Sequence, residues 1–221
     1  MIRRGLEKDI FLICNRTHGM RVKVSKKAIR ALGVAESFRK SSDKAFLAGV
    51  VMRSDFIIDG FAINRTTVSG DDATDSVIAL YSSLSRKDIN LIMIGGAVIS
   101  MYNIVDINRV FEETGRPVVA VTYRPSGGIE DAIKKRFPGN WERKLEAYRR
   151  LGPRREITLK NGFKVFVRNI GIDDYDSKLV LNRFTFFGRI PEPIRVARLL
   201  ARSLLPLEKG IQRSAGIFNP V

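Results

Sequence analysis

The sequence predicts one α/β domain built on a mixed sheet, with three antiparallel strands followed by a parallel βαβ unit and flanking helices. Three observations predict it. First, the apolar runs AIRALGVAE, KAFLAGVVMR and DFIIDGFAINRTTV lie between residues 28 and 68, with only the short polar breaks SFRKSSD and RSD between them. Breaks that short join antiparallel neighbours. Second, residues 89–124, INLIMIGGAVISMYNIVDINRVFEETGRPVVAVTYR, read as strand, loop, short helix, strand. Third, no Pro/Ser/Gly-rich linker divides the 221 residues, a length that buries one substantial core. The expected division is a basic extension over 1–25 and a single domain over 26–221.

The elements follow in order. After the three strands, DDATDSVIALYSSL places Ala73, Val77, Leu80 or Tyr81, and Leu84 at helical spacing, with Asp71 or Asp72 as N-cap. The βαβ unit comes next, its second strand ended by Pro125 to Gly128. Its first strand ends at Gly95-Gly96, the carboxyl end at which parallel α/β units gather ligands. A diglycine there means close backbone approach or a site without a side chain. IEDAIKKRFPGNWERKLEAYRRLG reads as helix broken at Pro138-Gly139, and EITLKNGFKVFVRNI as a hairpin about Asn161-Gly162, the dipeptide type I′ turns prefer. DDYDSKLVLNRF opens a helix with acids suited to its N-terminus. PEPIRVARLLARSLL starts at Pro191 or Pro193 and sets Ile194, Ala197, Ala201 and Leu204 on one face, with Arg195, Arg198 and Arg202 on another.

Composition excludes several classes. One cysteine, Cys14, and one histidine, His18, rule out a disulfide framework, a cysteine-rich zinc site and a two-histidine metal centre. The apolar runs are far shorter than the roughly 20 residues a membrane helix needs, and residues 1–25 resemble neither a secretory signal nor a transit peptide. Met20 offers an alternative start. A cytoplasmic protein without membrane contact is expected. The net charge of +16 is unevenly spread: residues 1–30 carry +7, residues 31–115 carry −3 and residues 116–221 carry +12. A mildly acidic centre between basic segments suits a protein that grips a polyanion, and nucleic acid is the expected partner, DNA before RNA.

Three strands, a helix, then strand, helix, strand, helix is the chain order of the ribonuclease H-like fold. Within it, Gly70-x-Asp72-Ala73-Thr74, Tyr102-Asn103-Ile104-Val105-Asp106-Ile107 and Pro191-Glu192-Pro193-Ile194-Arg195-Val196-Ala197 together resemble the archaeal relatives of endonuclease V described as deoxyuridine endonucleases. The resemblance runs from about Ile29 to about Leu204. It implies a ribonuclease H-like core and Mg²⁺-dependent cleavage of DNA at deaminated bases, in repair. Clustered carboxylates on such a core hold a divalent cation that activates water and steadies the charge on phosphate.

The departures from the family pattern carry as much as the matches. Where the family's first strand ends Gly-Ile-Asp-Asp, this chain has Gly33-Val34-Ala35-Glu36. Leu-Asp-Gly becomes Ile94-Gly95-Gly96, and Val-Asp-Gly becomes Val68-Ser69-Gly70. Acids are thus missing at Ala35, Ser69 and Gly95. The remaining catalytic candidates are Glu36, Asp72 and Asp106, and the metal candidates Glu36, Asp71 and Asp72. Glu36 points away from Ala35 unless the strand bulges, Asp71 and Asp72 double as helix caps, and Asp106 as support for a helix start. Nucleic-acid contacts are expected at Arg143, Lys144, Arg149, Arg150, Arg154 and Arg155, and at Arg195, Arg198 and Arg202. The competing expectation is a catalytically inactive paralogue that binds DNA or RNA within a nucleoprotein assembly.

Overall fold

The computed structural model describes residues 28–207; the expected basic extension over 1–25, with Cys14, His18 and Met20, lies outside the described residues, as do residues 208–221. The three apolar runs form strands β1 (Arg30–Ser37), β2 (Lys44–Arg53) and β3 (Ile58–Thr67). Helix α1 (Ala73–Ser83) follows, then β4 (Leu91–Ile94), a two-stranded hairpin of β5 (Val98–Ile99) and β6 (Asn103–Ile104), α2 (Ile107–Thr114) and β7 (Val118–Thr122). The basic stretch is α3 (Glu130–Arg136) and α4 (Trp141–Arg150), parted at Pro138-Gly139. The hairpin β8 (Arg155–Thr158) and β9 (Lys164–Ile170) and helices α5 (Asp174–Phe184) and α6 (Glu192–Ser203) complete the described residues. No described helix is long and apolar enough to cross a membrane.

Seven strands form one sheet in the order β3-β2-β1-β4-β7-β9-β8. β1 pairs antiparallel with β2 and parallel with β4, and β4 pairs parallel with β7, as the sequence predicts. The β8–β9 hairpin extends this sheet, β9 lying antiparallel to β7. Its turn differs from the expected type I′. The Gly162 N–H donates to the Leu159 carbonyl, and only Gly162, at φ +84°, is left-handed, so the loop has three residues and Asn161 keeps an ordinary φ.

Strand alternation divides the core into two layers. Leu32, Val34, Leu47, Val51, Ile92 and Ile94 pack with Val77 and Leu80 of α1 and Val110 of α2. On the other side Ala31, Ala35, Met93, Val119 and Val121 meet Val180, Leu181 and Phe184 of α5 and Ile194 and Ala197 of α6. Strands buried on both faces explain why β1, β2, β4 and β7 read as near-continuous apolar runs.

Helix α6 lies unusually close to β1. A Cβ built on Gly33 overlaps the Pro193 backbone carbonyl and ring, so glycine is the residue that lets the strand and the helix meet. The contact sets α6 across the carboxyl ends of the parallel strands. Accordingly, Gly33→Ala is expected to destabilise the protein by on the order of 1–3 kcal/mol, read as a lowered denaturation midpoint. Gly139→Ala, where a Cβ meets nothing within 4 Å, is the control expected to leave the midpoint in place.

Candidate functional site at the strand ends

The β1–β2 register runs without a shift from Arg30 to Ser37, so β1 has no bulge and Glu36 faces away from Ala35. Ala35 belongs to the α5/α6 layer, and a Cβ on Gly95 would meet Ile194 Cγ2 at 3.2 Å, which puts it on the same side. Ala35 and Gly95, two of the positions where the family pattern has acids, therefore share a face, and α6 covers it. At that point stands a cation: Arg198 Nη2 would lie 3.7 Å from a Gly95 Cβ. The Arg198 guanidinium also sits 5.8 Å from the Tyr123 ring centroid. Burial pushes the Tyr123 phenol well up against the opposing pull of Arg198 and Arg189, and its hydroxyl has no hydrogen-bond partner among the described residues.

Glu36 lies on the opposite layer. The Ser100 N–H points to its Oε1 at 3.4 Å, and the Ser69 N–H donates to the Ser100 carbonyl at 2.7 Å. Burial raises the Glu36 carboxyl, opposed by the Ser100 amide and Arg198. Glu36 Oε2, Ser69 Oγ and Ser100 Oγ are all buried without a partner among the described residues. The backbone around them is strained: Ser69 (φ +60°), Ser100 (φ +42°), Met101 (φ +56°) and Tyr102 (φ +70°) are left-handed without being glycine. Such residues persist only where surrounding contacts over-determine them, and they gather at functional sites.

Two polar hubs supply that support. Asn103 on β6 is fully buried; its Oδ1 accepts from Ala73 N, and its Nδ2 donates to Thr66 Oγ1, Thr67 O and Asp72 Oδ1. Asn103 thus performs the α1 capping expected of Asp72, which occupies the N-cap position without a side-chain cap bond. The Asp72 carboxylate instead accepts from the Thr66 and Thr67 hydroxyls and the Thr67 N–H. Desolvation acts to raise this carboxyl, but the bonds from Thr67, Asn103 and Thr66 outweigh it and hold it well below the usual carboxylate range. The second hub is Lys144, only 2% exposed, whose Nζ donates to Gly70 O, Asp71 Oδ1 and Tyr102 O and lies over the Phe137 ring.

The structure redistributes the expected site residues. Lys144 is corrected from a phosphate contact to a buried tie, because its ammonium is already surrounded by protein oxygens. Asp71 is engaged by Lys144 and approached by Arg143 at 4.0 Å, and Asp106 caps α2 through Asn108 N and Arg109 N. Among the described residues no group of three acidic, histidine or cysteine side chains converges to hold a metal. Glu36, Asp71 and Asp72 do not form the ligand set, and Glu36, Asp72 and Asp106 do not form one catalytic cluster. Mg²⁺ is held by carboxylates, water and substrate phosphate in near-octahedral geometry. A single carboxylate raised by burial, beside an arginine, does not fit that centre.

Of the expected cationic contacts, Arg143, Arg149 and Arg202 are exposed, Arg150 pairs with Glu146, Arg155 with Asp174 and Arg195 with Glu192. Arg154 holds the Arg124 and Ser126 carbonyls and Thr122 Oγ1. Sequence reasoning missed Tyr123, Arg189 and the Ser100–Tyr102 turn. The position of Tyr123 just past a parallel strand was a usable signal; the turn, lacking glycine, gave none.

A mixed sheet with β1, β4 and β7 parallel at its centre, covered by α6 across its strand ends, defines an α/β protein of the ribonuclease H-like class. Solved structures agree. A protein of unknown function from Archaeoglobus fulgidus superposes with a TM-score of 0.69 at 26% identity, over 80% of this chain and 98% of that one. Human ENDOV gives 0.53 at 15% identity, over 85% and 86%. Endonuclease V of Ciona intestinalis, solved with a 24mer DNA containing an inosine, gives 0.54 at 15% identity, over 83% and 87%. The family described as Endonuclease dU matches residues 27–205, and the chain belongs to it. The UPF0215 protein of Pyrobaculum calidifontis is 38% identical over 77% of this chain and 93% of its own length. That of Pyrococcus furiosus is 32% identical over 81% and 94%.

The Asp72 hub has a pH signature. Its folded-state carboxyl is depressed, so its contribution is full above the ordinary value of 3.8 and is lost as pH falls below it. Asp72→Asn is expected to destabilise the protein at pH 7 by about 1–3 kcal/mol, as charged hydrogen bonds are removed. Denaturation midpoints measured from pH 7 down to strong acid are expected to show the gap between wild type and variant closing below about pH 4.

Proposed function

We propose that this chain is a nucleic-acid-binding member of the Endonuclease dU family that has given up metal-dependent cleavage. The observation that carries the reading is Arg198 beside Gly95. Where the family pattern places a carboxylate to hold a cation, this chain has no side chain on the strand and a guanidinium reaching in from α6. A fixed positive charge there repels a divalent metal and attracts phosphate directly. The basic C-terminal half and the exposed Arg143, Arg149 and Arg202 support the same partner. DNA is the first candidate, because the Ciona endonuclease V of this fold was solved with DNA.

The competing reading is retained Mg²⁺-dependent cleavage beside a deoxyuridine, the activity named by the family. Three unpartnered buried oxygens, Glu36 Oε2, Ser69 Oγ and Ser100 Oγ, favour it. The missing acids at Ala35 and Gly95 weigh against it, since clustered carboxylates supply the metal affinity and the charge compensation.

One assay separates the two. Labelled single- and double-stranded DNA carrying one deoxyuridine, with matched RNA, is incubated with the protein in Mg²⁺, Mn²⁺ or EDTA, and binding and cleavage are followed together. Salt-sensitive binding that survives EDTA, with intact strands, is expected. Arg198→Ala is expected to weaken that binding and flatten the log–log salt slope by about 1. Metal-dependent cutting at the lesion that disappears in Glu36→Gln would overturn the proposal and establish the competing one.

A further inference from the structure

A cleft of about 510 Å³ opens beside the loop that follows β7, and it shares no residue with the strand-end site. Three arginines, Arg149, Arg154 and Arg168, and one carboxylate, Glu130, line it. The decisive residue is Arg168 on β9. It is only 8% exposed, its Nε donates to Gly152 O at 2.8 Å, and it makes no other hydrogen bond and no ion pair among the described residues. Its Nη groups have no protein partner among the described residues and are not buried, so they open to the cleft, where an anion can complete the guanidinium. Arg154 likewise bonds only neutral oxygens, Thr122 Oγ1 and the carbonyls of Arg124 and Ser126. Arg149 is exposed and unpaired among the described residues.

The remaining walls fit something larger than a bare anion. Arg168 lies 5.3 Å from the Tyr148 ring centroid and Arg154 5.4 Å from that of Phe166. Guanidinium planes and aromatic rings are the surfaces on which unpaired bases stack. A Cβ on Gly127 would meet nothing within 4 Å, so the loop leaves open space there. The volume matches pockets that take whole small molecules.

We propose that this cleft is a nucleotide site, with the phosphate held by Arg168 and Arg149 and the base set against the Arg154/Phe166 and Arg168/Tyr148 pairs. Its source is one unit of the bound strand, so the inference rests on the nucleic-acid-binding reading above; a free nucleotide has the same chemistry, and the test separates the two.

Calorimetric titration of the full chain with thymidine 5′-monophosphate, inorganic phosphate and a single-stranded oligothymidylate, at fixed salt, tests it. Expected are binding of the mononucleotide and the oligomer, weaker binding of phosphate alone, and a loss of at least about tenfold for both nucleotide ligands in Arg168→Met. Arg149→Ala, at an exposed position, serves as the second variant should Arg168→Met fail to fold, and is expected to weaken both ligands too. Mononucleotide binding without oligomer binding would keep the cleft but make its ligand a free nucleotide, and would overturn the strand-binding reading. Oligomer binding unchanged in both variants would overturn the cleft and leave that reading standing. Phosphate binding as tight as the mononucleotide would overturn the role of the base.

Discussion

The contact between Gly33 and Pro193 is the constraint on which the site depends. A side chain on β1 at that position would push α6 off the sheet, and with it the helix face that carries Arg195, Arg198 and Arg202. Because the helix sits so close, Ile194 packs against Gly95 and Arg198 reaches the strand ends. The same closeness brings Ile194 Cγ2 to 3.2 Å and Arg198 Nη2 to 3.7 Å from where a Gly95 Cβ would stand. Gly95, just past β4, and Arg198 on α6 are therefore neighbours: where the strand end carries no side chain, the guanidinium stands.

A second layer of organisation lies on the opposite face. The three consecutive left-handed residues at Ser100–Tyr102 are costly alone, of order 1–3 kcal/mol each, and nothing in their side chains relieves the cost. The relief comes from neighbours: Asn103 anchors the following strand, the Lys144 ammonium donates to the Tyr102 carbonyl, and the Ser69 N–H donates to the Ser100 carbonyl. These contacts hold the Ser100 amide over Glu36. The polar atoms left unpaired there, Glu36 Oε2, Ser69 Oγ and Ser100 Oγ, gather around that amide.

Much of the frame was legible in the sequence. Apolar runs parted by short polar breaks marked the three antiparallel strands, and the alternation of strand side chains placed Glu36 opposite Ala35. Helical spacing gave Ala73, Val77 and Leu80, and the acid before Ile107 was readable as a cap. What was not legible depended on contacts between residues far apart in the chain. Lys144 stands in a run of cations and nothing local marks it as the buried one. Asn103 takes over the capping that Asp72 was expected to perform because a strand thirty residues on passes the helix start. Arg168, in a strand that reads as ordinary alternation, shows its missing counter-charge only once β9 is placed beside β7 and the loop from Gly152.

Lys144 has a consequence for how the basic surface behaves. Its ammonium pins α4 to the Asp71 loop and to the Tyr102 turn at once, so the helix cannot swing outward without stripping a buried charge of its oxygens. Arginines carried on that helix are thereby held in register with the sheet, rather than on a pliable arm. A polyanion meeting such a surface finds its counter-charges already arranged, and most of the ordering entropy of the encounter falls on the ligand.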